Sequence, residues 1–105
     1  MAIGRSFLNL CMHYVYVIQS EKTQGYYIGE TANLETRLNW HNNVELNIGV
    51  TRKSIPWRYH FTLQVPIRTI ALRIEKHIKK MKSKVYLENL SKYPEISKRL
   101  LKKYS

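Results

Sequence analysis

Cysteine is nearly absent: Cys11 is the only one in 105 residues. A lone thiol excludes an internal disulfide and any cysteine-based zinc cluster, and it points to a reducing, cytoplasmic setting. Acidic residues are also scarce, seven against eighteen Lys and Arg, so the formal charge is +11. Glycine and proline number four and three, and no repeat or low-complexity tract occurs. Long apolar runs are missing as well. Ile3 to Val17 is mildly apolar but broken by Arg5, Asn9 and His13. It is too short to span a bilayer and has no small-residue cleavage pattern, so no membrane partner is expected.

What the chain does have is positive charge, and it is segregated. Residues 52–105 carry +12 and residues 1–51 carry −1. An excess of that size on one half favours a polyanionic partner, nucleic acid above an anionic membrane surface, because no segment joins a clean apolar face to a purely basic one. The hydrophobic content of 44% suits a folded globule, and the length allows one domain.

Tyr14-Val-Tyr-Val-Ile18 is a run of aromatic and β-branched residues and predicts a buried strand. Ser20 to Gly25 reads as a hairpin loop, and Tyr26-Tyr-Ile-Gly29 as the returning strand. Thr31, with Asn33 as rival, caps a helix in which Leu34, Leu38 and His41 share a face and Arg37 flanks it, about two turns in. Asn42-Asn43 ends that helix. Asn47 to Pro56 is a polar loop. Trp57 to Val65 alternates as a third strand, with Tyr59, Phe61 and Leu63 on one face. Ile70, Ile74, Ile78 and Met81 define an amphipathic helix over Arg68 to Ser83, with Glu75 at the edge of the stripe. Short helical pieces follow, separated by Pro94. The expected fold is α+β, a small three-stranded antiparallel sheet flanked by helices. Residues 1–11 are an extension outside the fold, 12–90 the domain, and 91–105 a basic C-terminal helical tail.

Tyr14-Val-Tyr16, ten residues to Tyr27-Ile-Gly29, then Arg37, His41 and Glu75 resemble GIY-YIG nuclease domains in order and spacing. These include the N-terminal nuclease domain of the nucleotide-excision-repair excinuclease and phage homing endonucleases. Leu34-Glu-Thr-Arg-Leu38, His41-Asn42, Thr51-Arg52 and Pro56-Trp57 look like the small stand-alone bacterial proteins of the superfamily. The likeness covers roughly residues 12–90; a single tripeptide would be weak, but five elements in order are specific.

The resemblance implies a metal-dependent endonuclease cutting DNA phosphodiester bonds, with RNA left open. It assigns Tyr27 as general base or water-orienting group with Tyr16 in support, and it places His41 near the scissile phosphate. It gives Glu75 to a single divalent ion, Mg²⁺ or Mn²⁺. Physical chemistry agrees on the residue types. A phenol titrates at about 10 and is a poor base unless a cation favours the phenolate. Arginine's fork suits non-bridging phosphate oxygens, and Mg²⁺ takes few protein oxygens.

For several residues a plainer reading stands beside this one. The two tyrosines serve equally as sheet aromatics, His41 as a packed core histidine, and Glu75 as an i,i+4 partner of Lys79. Arg52, Lys53, Lys79, Lys80, Lys82 and Lys84 are backbone-phosphate contacts rather than catalysts. Tyr26 with Trp57, and Trp40, are candidates for base stacking; Asn89 aligns only loosely with a late family asparagine. Two departures stand out: Tyr14 replaces the family's leading glycine, and no second DNA-binding module is visible. Target choice then falls to DNA structure, in repair or recombination intermediates, or to a separate targeting protein. The alternative reading is a basic nucleic-acid-binding module with weak or no nuclease activity.

Overall fold

The computed structural model describes residues 12–105; the expected N-terminal extension lies outside the described residues. Strand β1 (His13–Ser20) sits in the middle of a sheet ordered β2-β1-β3. A central strand is covered on both faces, which is why Val15 to Ile18 are all fully buried and show no polar alternation. β2 (Tyr26–Thr31) and β3 (Trp57–Val65) both pair with β1 antiparallel. In the hairpin loop, the Ser20 hydroxyl oxygen accepts from the backbone N–H of Lys22 and Thr23 at 3.0 and 2.9 Å. It also donates to the Ser54 carbonyl at 2.6 Å, tying the hairpin to the segment before β3.

One irregularity changes which faces the residues occupy. Val17 pairs with Phe61 but Ile18 pairs with Tyr59, so His60 is an extra residue in β3, a β-bulge. Strict alternation would put Tyr59, Phe61 and Leu63 on one face. The bulge instead sends Tyr59 and Trp57 to the face of Tyr16 and Ile18, and leaves Phe61 and Leu63 with Val15 and Val17.

Helices cover both faces. α1 (Leu34–Asn42) packs through Leu34 and Leu38 on the Tyr16 side. Its N-cap is Asn33, whose side chain accepts from the Thr36 N–H at 3.0 Å; Thr31 supports Asn33 rather than capping the helix. A short 3₁₀ turn, Val50–Ser54, lies within the polar loop expected over Asn47 to Pro56. On the other face α2 (Arg68–Met81) buries Ile70, Ala71, Ile74 and Ile78. Met81, expected in that stripe, is 45% exposed, because the helix ends there in a left-handed Lys82. α3 (Lys84–Lys92) and α4 (Pro94–Tyr104) add Leu90 and Leu100 to the same core. Each such side chain, fully buried, stabilises the fold by about 1.5–3 kcal/mol. The basic C-terminal tail therefore carries a helix that completes the core. Among the described residues no helix is long and apolar enough to cross a membrane.

Candidate active site

The site begins with a side chain that needs a missing one. Tyr16 lies opposite Gly29 in the β1–β2 ladder, and its ring lies over that glycine. A Cβ at position 29 would overlap the Tyr16 phenol. The last glycine of Tyr27-Ile-Gly29 is thus required by close approach, not by backbone conformation. Tyr27 pairs with Ile18, two residues along, so both phenols issue from one sheet face as expected.

Two residues of α1 meet the Tyr16 oxygen. The Arg37 Nε–H donates to it at 3.2 Å, and His41 Nε2 lies 2.9 Å away. Arg37 sits in the first turn of α1, not the second, because β2 continues to Thr31 and the helix starts only at Leu34. Its guanidinium is held over the Trp40 ring, 4.7 Å from the centroid. His41 is 1% exposed and is the one buried residue of α1. Its other nitrogen, Nδ1, lies 2.9 Å from the Thr51 hydroxyl.

Thr51 and its support were not singled out as site residues by sequence. Thr51 is held by Asn47, whose side-chain N–H donates to the Thr51 hydroxyl at 2.8 Å and to the His41 carbonyl at 2.7 Å. The Trp57 indole donates to the Thr51 carbonyl at 2.8 Å, and Asn42 exchanges two hydrogen bonds with the Trp57 backbone. A buried hydroxyl in a polar loop leaves no periodic trace; the one signal was the asparagines that precede it, Asn42 and Asn47, a residue type that bonds to backbone.

Electrostatics set the protonation of this cluster. Burial, and then the Arg37 charge, lower the His41 pKa to about 4, so the imidazole is neutral and carries one proton. Two proton arrangements satisfy the chain. Either Tyr16 donates to Nε2 and Nδ1–H donates to Thr51, or the Thr51 hydroxyl donates to Nδ1 and Nε2–H donates to Tyr16. In the second, the Tyr16 oxygen accepts from both Arg37 and His41, and its own proton points away from them. A cation beside the phenol was expected to depress its pKa. Burial instead raises the Tyr16 pKa, outweighing the hydrogen bond and charge of Arg37, with Tyr27 and Glu75 adding to the rise.

None of the hydrogen bonds in this network involves Tyr27. Tyr27 touches the cluster through its ring, edge-on to His41 at 5.5 Å between centroids. Tyr59 supports Tyr16 from β3, edge-on at 5.7 Å, with its hydroxyl donating to the Leu34 carbonyl.

Glu75 comes from α2, which packs on the opposite face along β1 and β2. Its carboxylate is 14% exposed and pairs with Lys79 at 2.7 Å, the i,i+4 partner named above. Its charge adds, as the smallest of the causes, to the rise of the Tyr16 pKa. Among the described residues no three His, Cys, Asp or Glu side chains cluster as a metal cage. A single half-buried carboxylate with one half-exposed lysine on it fits an Mg²⁺-type ion, which keeps several waters and takes substrate phosphate oxygens.

The basic residues fall into separate groups. Arg52 and Lys53 are exposed on the 3₁₀ turn beside Thr51. Lys79, Lys80 and Lys82 line a groove with Glu75, Leu72 and Lys76. Lys84 lies in a different depression, against the β1–β2 loop. The aromatic pair proposed for stacking is split: Trp57 is buried on the Tyr16 face, while Tyr26 lies against the other core, 4.9 Å from the His60 ring. Trp40 is engaged by Arg37. Asn89 is half-buried on α3, and none of the site contacts above involves it.

Residues 12–93 match the family model described as GIY-YIG catalytic domain. The match spans most of the chain and contains every element of the Tyr16 cluster together with Glu75. The family comprises endonucleases that act on DNA. A search of curated proteins finds no match. The chain belongs to the GIY-YIG family.

Proposed function

We propose that this GIY-YIG protein is a divalent-metal-dependent endonuclease that hydrolyses DNA phosphodiester bonds, selective for branched, flapped or otherwise distorted DNA. The observation that carries the reading is one cluster, Tyr16 bonded to both Arg37 and His41, with the Glu75 carboxylate acting on the same phenol. Glu75 would hold the ion, with water and phosphate oxygens completing its shell; a bound ion there supplies positive charge to the phosphate and a more acidic water.

The chain's own groups supply the rest. Arg37 spends Nε on Tyr16, which leaves the terminal nitrogens of its fork to meet non-bridging phosphate oxygens and the charge that develops on them. Stacking on Trp40 keeps the guanidinium from swinging away. Tyr16 is a neutral phenol held by two partners, so it orients a water or gives a proton more readily than it takes one. Tyr27, outside the network, is the group left to orient or deprotonate the attacking water. His41 is a neutral positioning residue that fixes the phenol of Tyr16 and passes its orientation to Thr51. Arg52 and Lys53 flank the cluster on the α1 side and lysines 79, 80 and 82 on the Glu75 side, a placement suited to backbone phosphates.

The test is cleavage of supercoiled, linear and branched DNA with Mg²⁺ or Mn²⁺ and with EDTA. The reading expects metal-dependent nicking, fastest on the branched substrate. The Glu75–Lys79 pair keeps a second reading in view, a binding module whose acid is neutralised by lysine. That reading expects DNA binding in EDTA and no nicking with any metal.

A further inference from the structure

α2 has two flanks, and only one belongs to the site above. On the other flank a groove of about 410 Å³ runs between α2 and α4, lined by Arg73, Lys76, His77, Lys80, Met81, Lys103 and Tyr104. Four of these are cations and none is a carboxylate. Among the described residues the ion pairs of α2 engage Arg68 and Lys79, and none of the four groove cations. Arg73, Lys76 and Lys80 recur at i, i+3, i+7, one exposed ridge of the helix. Lys103 faces them from α4, its ammonium 5.4 Å from the centroid of Tyr104.

The groove is also built rather than merely charged. Tyr104 and His77 join α4 to α2 through a 2.7 Å hydrogen bond. Burial lowers the His77 pKa, and the neighbouring charges of Lys103 and Lys80 add to that.

Lys76 and Lys80 connect this groove to the site. Both also line the groove that holds Glu75. The outer ridge of α2 is therefore a continuous basic crest, with Glu75 on one slope and Arg73 and Lys103 on the other.

We propose that the α2–α4 groove is a second phosphate-binding track, in which Arg73, Lys76, Lys80 and Lys103 hold the DNA backbone after it crosses α2 from the Glu75 side. The proposal rests on the nuclease reading of that side. It names a job for residues of the last helix that the cluster around Tyr16 does not require. The domain gains in this way a longer footprint on its substrate, and the contacts are to backbone, so they carry no sequence preference.

The experiment measures binding of a labelled 30-bp duplex in EDTA across a range of salt concentrations, for wild type, Arg73→Gln/Lys103→Gln, and Lys92→Gln/Lys98→Gln. The last pair removes the same charge from exposed positions outside either groove. Each lost phosphate contact lowers the slope of log K against log salt by about 0.9. The groove variant is expected to lose about 1.8 in slope, and the control far less. Equal slopes for the two double variants would overturn the track while leaving the site reading intact, provided wild type still nicks DNA with Mg²⁺. Failure of wild type to bind the duplex at low salt overturns both. Displacement of the duplex by polyglutamate at equal charge concentration overturns DNA as the occupant and assigns the groove to acidic protein.

Discussion

The phenol oxygen of Tyr16 and Nε2 of His41 lie 2.9 Å apart with both side chains fully buried. The contact joins the middle of the central strand to the only buried residue of α1. One hydrogen bond thus anchors the helix and presents Arg37, one turn earlier, to the same oxygen. Packing and site geometry are the same interaction, and that makes each of them measurable through the other.

Removing the phenol should cost both. Tyr16→Phe strands a buried imidazole nitrogen and removes the acceptor of Arg37, so urea unfolding should show a loss of about 1–3 kcal/mol. Cutting should fall at least ~100-fold. Tyr27→Phe breaks no bond of the network, so its stability should stay within about 0.5 kcal/mol of wild type while cutting is still lost. Equal stability losses for the two variants would contradict the asymmetry between them.

Gly29 gives a sharper version of the same argument. In Gly29→Ala the new methyl occupies the place of the Tyr16 phenol, and overpacking of this kind costs about 1–3 kcal/mol. The phenol must also move, and misplacement by an ångström costs about 100-fold in rate. Circular dichroism should report an intact fold with cutting lost. Wild-type cutting by this variant would mean that Tyr16 does not lie across the glycine.

The buried imidazole predicts a pH dependence of stability. Its pKa is about 4 in the fold and about 6.5 in the unfolded chain. Between those values the unfolded state binds the proton and the folded state does not. Stability is therefore complete above the unfolded value and declines as pH falls toward the folded one, by about 3 kcal/mol. Urea midpoints measured from pH 7 to pH 4 should show this decline, and His41→Gln should remove its share of the slope. Parallel curves for the two proteins would show that His41 is not held neutral.

Much of this was visible in the sequence where local pattern decides structure. The aromatic and β-branched run of β1, the glycine-ended hairpin and the isoleucine stripe of α2 each depend on neighbours a few residues away. Of Tyr16, Tyr27, Arg37, His41 and Glu75 the sequence shows only order and spacing; the hydrogen bonds that link Tyr16, Arg37 and His41 depend on the fold. What pattern could not supply came from long-range contacts. The bulge at His60 reverses the facing of Tyr59, because alternation cannot register a residue added opposite a distant strand. Trp57, a stacking candidate by type, is buried by a hydrogen bond to Thr51. Thr51 and Asn47 lie in a loop whose composition says only that it is polar. Met81 fits the helical stripe but falls where the helix stops.

The central claim is that the cluster is a metal-assisted nuclease site, and Glu75 tests it most directly. Glu75→Gln keeps the size of the side chain and removes its charge, and loss of a part-exposed pair with Lys79 costs at most about 1 kcal/mol. The decisive measurement is the nicking rate of supercoiled plasmid in Mg²⁺ or Mn²⁺ for wild type and this variant, both shown folded by circular dichroism. The account predicts nicking by wild type that EDTA stops, and none by the folded Glu75→Gln protein. Undiminished nicking by the variant, or wild-type nicking that persists in EDTA, would contradict it.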